Sequence, residues 1–375
     1  MNSKDSVFPL INNELETLRP SGNFSESISI PASGMSSRLL KDNGELKEIL
    51  IETSDIKGVL SLFEAAHVGT HEDNILEDAL PFIITHLKDS IKGGSGSISD
   101  SFANQVNHAL EQSLHKGIPR IESRYYMSIY EADETHNPLL LKLAKLDFIL
   151  AQMSHKQELN EIFRKCSENV AKLAHTRNRL VENYFMAMSI LFEPQYSLGR
   201  IIFAKTVVAL ILVDDTFVAY GTSEELRAFT DAVERELPSF PQAAFIYSHQ
   251  HPYYSWKMAP PEVFDWLSKN PKILVACARI GRLINDVASY EDYNAGEEEA
   301  KNKLEEICED AWKDINEGLL RPTDVPREIV MRILSLARVV GVYYKHRNDG
   351  FTNPATVVET HIAALLLDPF SEPEI

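Results

Sequence analysis

The chain has 375 residues, with 37 Lys and Arg against 55 Asp and Glu, a formal net charge of −18. Such a length builds two modest domains or one large one, and such a charge argues against nucleic acid or an anionic membrane surface as a partner, so an anionic ligand needs a metal bridge or a local arginine cluster. Cys166, Cys277 and Cys308 are widely spaced with no zinc pattern, and they read as reduced, buried thiols of an intracellular protein.

Residues 1–36 are rich in Ser, Asn and Pro without a sustained period, and read as an irregular N-terminal arm. They contain no secretory apolar core, and Asp5, Glu14 and Glu16 argue against an organellar transit peptide, so a cytoplasmic protein is expected. No apolar run reaches the roughly 18 residues of a membrane span, and none is expected.

From about Leu46 onward the apolar residues recur at three- and four-residue spacing, the signature of helices, and strand alternation is almost absent. In the first part of the chain the pattern predicts helices over Ile56–His67, Asp73–Ile91 and Asp100–Lys116, with a loop at Gly93–Ser97. Next come Pro138–Ala174, long enough to expect a break, Arg177–Leu191, Ser197–Tyr220 and Ser223–Glu236. The Leu237–Pro261 stretch holds five prolines and several aromatics and reads as irregular. After it follow Pro261–Lys269, Lys272–Asp292, Glu297–Gly318, Val325–His346 and Pro354–Leu367. The expected fold class is therefore all-α.

Three clusters carry chemistry. The apolar run Ile201–Val213 ends in adjacent carboxylates, Asp214 and Asp215. Acids at the rim of a greasy helix are costly to bury without a cation or an arginine, which suggests Mg²⁺ meeting an anion at the mouth of an apolar cavity. Asp215 points about 100° away from Asp214, and the position sharing Asp214's face one turn on is Val218. Taken alone, such a pair is more often a solvated helix end.

The second cluster places Arg282, Asn285 and Ser289 at i, i+3 and i+7, one stripe of a helix. An amide oxygen, a hydroxyl and a later carboxylate can together hold one Mg²⁺, with Arg282 facing a phosphate; a solvated polar face explains the same pattern equally well. The third is Arg177-Asn178-Arg179, where two arginines can both donate to one anion. A lone pair of this kind is usually a solvated basic face.

The three clusters in this order, with Phe192-Glu-Pro-Gln-Tyr-Ser197, Ala219-Tyr-Gly-Thr222, Trp266-Leu-Ser-Lys-Asn-Pro271 and Arg282-Leu-Ile-Asn-Asp-Val-Ala-Ser-Tyr-Glu291, resemble a plant class I terpene synthase of the cytosolic sesquiterpene type. Upstream, Gly58–His67 and Arg124–Glu131 resemble that family's N-terminal helical domain. The resemblance implies a class I helical bundle over 146–375, internally shortened, preceded by a partial N-terminal helical domain over 37–145.

It also implies Mg²⁺, with Mn²⁺ as the alternative, and a prenyl diphosphate substrate, farnesyl diphosphate, on a monomeric enzyme. Metal and arginine withdraw the diphosphate, and the cation left behind cyclises in an apolar pocket. By the same resemblance Asp214 and Asp215 belong to the aspartate-rich metal motif. Asn285 and Ser289, with Asp286 as a further candidate, belong to the second metal motif. Arg177, Arg179 and Arg282 contact the diphosphate, and Tyr344 and Asp349 match residues that act in later carbocation or proton steps.

The chain departs from the family at several places. Val218 and Tyr293 stand where the two motifs place their last acids, Met186 stands for a pocket tryptophan, and Lys165-Cys166 for an aromatic pair. Only 71 residues separate Asp214 from Asn285, about half the family's spacing. Asp292 follows Asn285 by seven residues and returns to within about 20° of it, so it can stand in for Tyr293 as the third ligand. The departures leave a second reading, a weak or inactive relative acting as a binding or interaction protein.

Overall fold

The computed structural model describes residues 56–92, 98–170, 179–215, 222–236, 261–289 and 295–370. The arm at residues 1–36, the loop at 93–97 and the proline-rich residues 237–260 lie outside the described residues. From Lys57 onward the chain forms one compact unit, and every regular element described is helical.

The helices are α1 (Ile56–Ala66), α2 (Asn74–Lys92), α3 (Asp100–Glu111), α4 (Pro119–Ala132), α5 (Pro138–Val170), α6 (Leu180–Ile190), α7 (Ser197–Asp215), α8 (Ser223–Glu236), α9 (Pro261–Ser268), α10 (Lys272–Ser289), α11 (Ala295–Gly318) and α12 (Arg327–Tyr343). After α12 come a 3₁₀ turn (Lys345–Arg347), two single-turn helices (Pro354–Val357 and Glu359–Ile362) and a π-helical turn (Ala363–Leu367).

Five spans differ from the sequence expectation. Helix α3 ends at Glu111 rather than Lys116, where Gln112 takes an extended backbone. Helix α4 was not predicted, although Pro119 at its first position is pre-set for a helix start. Helix α5 runs its described 33 residues without the expected break, because no Gly or Pro interrupts it after Pro138. Helix α12 stops at Tyr343 rather than His346, since His346 and Arg347 take left-handed φ of 56° and 59°. The single helix expected over Pro354–Leu367 is three short pieces.

Two apolar cores position the rest. One gathers Phe148 and Ile162 of α5, Tyr184, Phe185 and Met188 of α6, Ala204 of α7, and Val339, Val342 and Tyr343 of α12. The other gathers Ile273, Cys277 and Ile280 of α10, Trp312 and Ile315 of α11, and Val330, Ile333, Leu334 and Ala337 of α12. Helix α12 thus packs against α6 on one side and α10 on the other, and Leu336 is packed against both cores. Cys277 and Cys308 are free and buried, and burial pushes both thiols up to about 11.

A buried ion pair pins α5, α6 and α7. Arg200 has 0% of its surface exposed. Its Nε and Nη2 donate to the two oxygens of Glu158 at 2.8 and 2.7 Å, and Nη1 donates to the carbonyls of Leu191 and Glu193 at 2.6 and 2.7 Å. The Tyr184 hydroxyl donates to Glu158 at 2.8 Å. Tyr184 and Phe185 are core residues, both fully buried.

Further along, Asn316 of α11 donates to the carbonyls of His67 and Gly69 at 3.1 and 2.8 Å, fastening the α1–α2 loop. His71 of that loop stands close enough to Asp314 and Glu317 to share a cation with them. The Lys272 ammonium already bridges those two carboxylates at 2.8 and 2.7 Å.

Candidate active site

The turn after α12 gathers residues that the sequence scatters over 170 positions. Gly350 N–H donates to the Tyr343 carbonyl at 2.8 Å and folds the chain back under the helix end. A Cβ at Gly350 would stand 2.5 Å from that carbonyl, so only glycine permits the approach. Asp349 Oδ1 accepts the backbone N–H groups of Phe351 and Thr352 at 2.9 and 2.8 Å, an Asx turn that fixes its carboxylate.

Arg179, which caps the start of α6, donates through Nη2 to the Thr352 carbonyl and through Nη1 to Glu182 at 3.2 Å. Its Nε is buried with no hydrogen-bond partner among the described residues. The Tyr343 hydroxyl donates to the Glu182 carbonyl at 2.7 Å and ties α6 to α12 beside it.

From the other side Asn285, half-buried on α10, donates its amide nitrogen to the Tyr344 hydroxyl at 2.7 Å. The amide nitrogen is thereby committed to the phenol. Burial raises the Tyr344 hydroxyl above a tyrosine's ordinary value, the Asn285 amide lowers it in part, and the Asp349 carboxylate adds to the rise. Tyr344 is thus a neutral phenol at neutral pH.

Four of the candidate residues, Arg179, Asn285, Tyr344 and Asp349, therefore meet around one turn. Arg282 does not join them by any hydrogen bond described. Its side chain is 75% exposed and pairs with Asp286 one helical turn on, at 2.9 Å. Asp214 and Asp215 close α7 and Ser289 closes α10, but their side chains lie outside the described residues, as do Arg177 and Asp292. The run leading to Asp214 is not buried all round: Ala204 faces the core, while Ile202 and Leu210 are exposed.

Sequence reasoning missed Glu182, Thr352 and Arg347 as builders of this turn. The Asn348-Asp349-Gly350 run was the available signal, since Asp-Gly marks a turn. The oxygen-only donor set, carboxylates with an amide and a hydroxyl, suits Mg²⁺ or Mn²⁺ rather than a thiophilic metal.

The fold is all-α, and a basic helix start and an amide-bearing helix converge on one turn. The terpene synthase family, metal binding domain, matches residues 166–243 and 237–314, and the terpene synthase N-terminal domain matches residues 33–110. The chain belongs to the terpene synthase family. Sesquiterpene synthase 2 of Toona sinensis is 36% identical, covering 88% of this chain and 74% of that protein. Germacrene A synthase of Lavandula viridis is likewise 36% identical, over 88% of this chain and 76% of its own length.

Among solved structures, isoprene synthase from grey poplar (Populus x canescens), in complex with three Mg²⁺ ions and dimethylallyl-S-thiolodiphosphate, superposes with a TM-score of 0.75. It is 25% identical, and the similarity spans 92% of this chain and 82% of that one. The alignment with the Toona protein is 425 positions long, more than this chain possesses, so that relative carries residues missing here. The two pieces of the metal-binding-domain match meet at residues 237–243, where the proline-rich stretch begins.

Proposed function

We propose that the chain is a sesquiterpene synthase of the cytoplasm, monomeric, which ionises farnesyl diphosphate with Mg²⁺ and cyclises the resulting cation. The carrying observation is the convergence of Arg179 and Asn285, from helices flanking α12, on the turn that holds Tyr344 and Asp349. The unpartnered Nε of Arg179 offers a donor to a diphosphate oxygen. When bound, the divalent ion supplies the charge that draws the diphosphate away. Asp214, Asp215, Asn285, Ser289 and Asp292 would hold it, and Arg177 and Arg282 would join Arg179 on the anion.

Tyr344 stays protonated and offers the cation a phenol face and an oxygen rather than a phenolate. Asp349, fixed by two backbone donors beside it, is the local carboxylate that can take a proton at the end of cyclisation. Among the described residues no helix is long and apolar enough to cross a membrane. The domain division at residue 145, read from family resemblance, remains part of this proposal.

A second reading rests on Val218 and Tyr293, each standing where a metal-binding acid is expected, and on the match falling in two pieces. Incubation of purified protein with farnesyl diphosphate and Mg²⁺, followed by volatile-product and pyrophosphate analysis, separates the two. Product supports the synthase. No pyrophosphate release at high enzyme concentration, from protein with a folded circular dichroism spectrum, establishes the inactive relative.

A further inference from the structure

The 3₁₀ turn between Tyr344 and Asp349 is held by a residue to which the proposed chemistry gives no role. Arg347 spreads its guanidinium over one face of α11. Its Nε and Nη2 donate to the two oxygens of Glu305 at 2.7 and 2.9 Å, its Nη1 donates to Glu298 at 2.6 Å, and Nη2 also donates to Asn302 at 2.9 Å. Residues 298, 302 and 305 are four and three apart, so they form a single stripe that matches the planar fork of an arginine.

The backbone explains why such an anchor is required. His346 and Arg347 are two successive non-glycine residues in the left-handed region, φ 56° and 59°. Left alone, that conformation is disfavoured and relaxes toward ordinary φ. Relaxation at either residue would rotate Tyr344, three positions before Arg347, and Asp349, two positions after it. Asn285 holds Tyr344 from α10. Nothing described on α10 reaches Asp349, whose turn depends on the direction in which the chain leaves Arg347.

We infer that Arg347 is a positioning residue: its fork onto Glu298, Asn302 and Glu305 holds the strained turn that presents Tyr344 and Asp349 to the site. The two contacts from opposite sides, Asn285 to Tyr344 and Arg347 to α11, clamp the turn to both arms of the α10–α11 pair. The inference deepens the proposed function and rests on it only for the roles of Tyr344 and Asp349.

Hydrogen exchange on the ligand-free full chain tests the fork independently of turnover. The reporters are the amides of Gly350 and Thr352, which donate to the Tyr343 carbonyl and to Asp349. Arg347→Ala should accelerate their exchange at least tenfold while the amides of α10 keep their protection. Arg347→Lys, one charge without the fork, should fall between. Arg347→Gly removes the fork and the strain at 347 but leaves that at His346, so its exchange should be slower than in Arg347→Ala; wild-type protection in Arg347→Ala overturns the inference.

If Arg347→Ala exchanges faster and also changes the product ratio or kcat at constant KM, with partial rescue by lysine, the positioning role stands. Faster exchange with unchanged products and kcat overturns the assignment of Tyr344 and Asp349 to the reaction, and with it the catalytic purpose of the fork.

Discussion

Replacing Arg200 by methionine should be among the most damaging single changes outside the site. The guanidinium is wholly buried and makes four hydrogen bonds, two to Glu158 and two to the carbonyls that end α6 and precede α7. Methionine fills most of the stem volume but leaves the Glu158 carboxylate with Tyr184 as its one donor from α6 and strips both carbonyls. Breaking a buried pair from one side costs about 3–5 kcal/mol.

The pH dependence gives the argument its sharpest check. In the wild type burial pushes the Glu158 carboxyl up, but the Arg200 hydrogen bonds and charge outweigh it and hold the group below its ordinary value. A depressed carboxyl contributes stability that is present above its unfolded pKa and lost as pH falls through the folded one. Without Arg200 burial dominates and the folded value rises above the unfolded one, so the charged form is penalised at pH 7.

Urea titrations followed by circular dichroism at pH 7 and pH 5 should therefore show the Arg200→Met deficit largest at pH 7 and narrower at pH 5. The double variant Glu158→Leu/Arg200→Met should be more stable than Arg200→Met alone, because no uncompensated charge remains. A deficit below about 1 kcal/mol, or one that does not change with pH, would refute the buried-pair account.

Other outcomes follow from the same geometry. Gly350→Ala drives a methyl against the Tyr343 carbonyl and should lower stability by about 1–3 kcal/mol, read as a fall in Tm. Asn316→Ala orphans the His67 and Gly69 carbonyls and the His115 ring nitrogen at 2.8 Å, and should cost about 3 kcal/mol by urea titration. His115 and His155 are each pushed down to about 4, chiefly by burial, and stay neutral in the fold. The unfolded chain binds more protons there, so both oppose stability as pH falls from about 6.5 toward 4. Glu64, raised to about 7 by burial, acts with the opposite sign between its unfolded value and 7 and offsets one of them. The net loss from these three groups should be about 1.4 kcal/mol per pH unit near pH 5.5, and His115→Asn should flatten it. Val218→Asp should raise pyrophosphate release from farnesyl diphosphate if the missing ligand limits turnover, an assay in which the unchanged rate would point to the shortened chain between the motifs.

The helical class and most spans were legible because three- and four-residue apolar spacing survives in a chain with few glycines. Helix α10 shows it plainly, with Ile273, Ala276, Cys277 and Ile280 all buried on one face. The ends were less legible. Nothing local to His346 forecasts its left-handed backbone, which depends on acids of α11 more than forty residues upstream. In the site, Asn285, Tyr344 and Arg179 could be named from their motifs, but the bonds from Asn285 to Tyr344 and from Arg179 to the Thr352 carbonyl cross 59 and 173 positions of sequence and follow only from packing. Arg282 shows the limit of a stripe argument: three residues at helical spacing share a direction, yet Arg282 projects into solvent while Asn285 is half-buried.

Helix α12 feeds side chains into both apolar cores, with Leu336 touching each. A wall shared by two rooms cannot be taken down from one side only. Loss of either core strips one flank of α12 and exposes apolar surface on the other, so the α5–α7 half and the α10–α11 half should melt together in a single calorimetric peak. A helix placed in that way makes the stability of the whole bundle hostage to its thinnest partition.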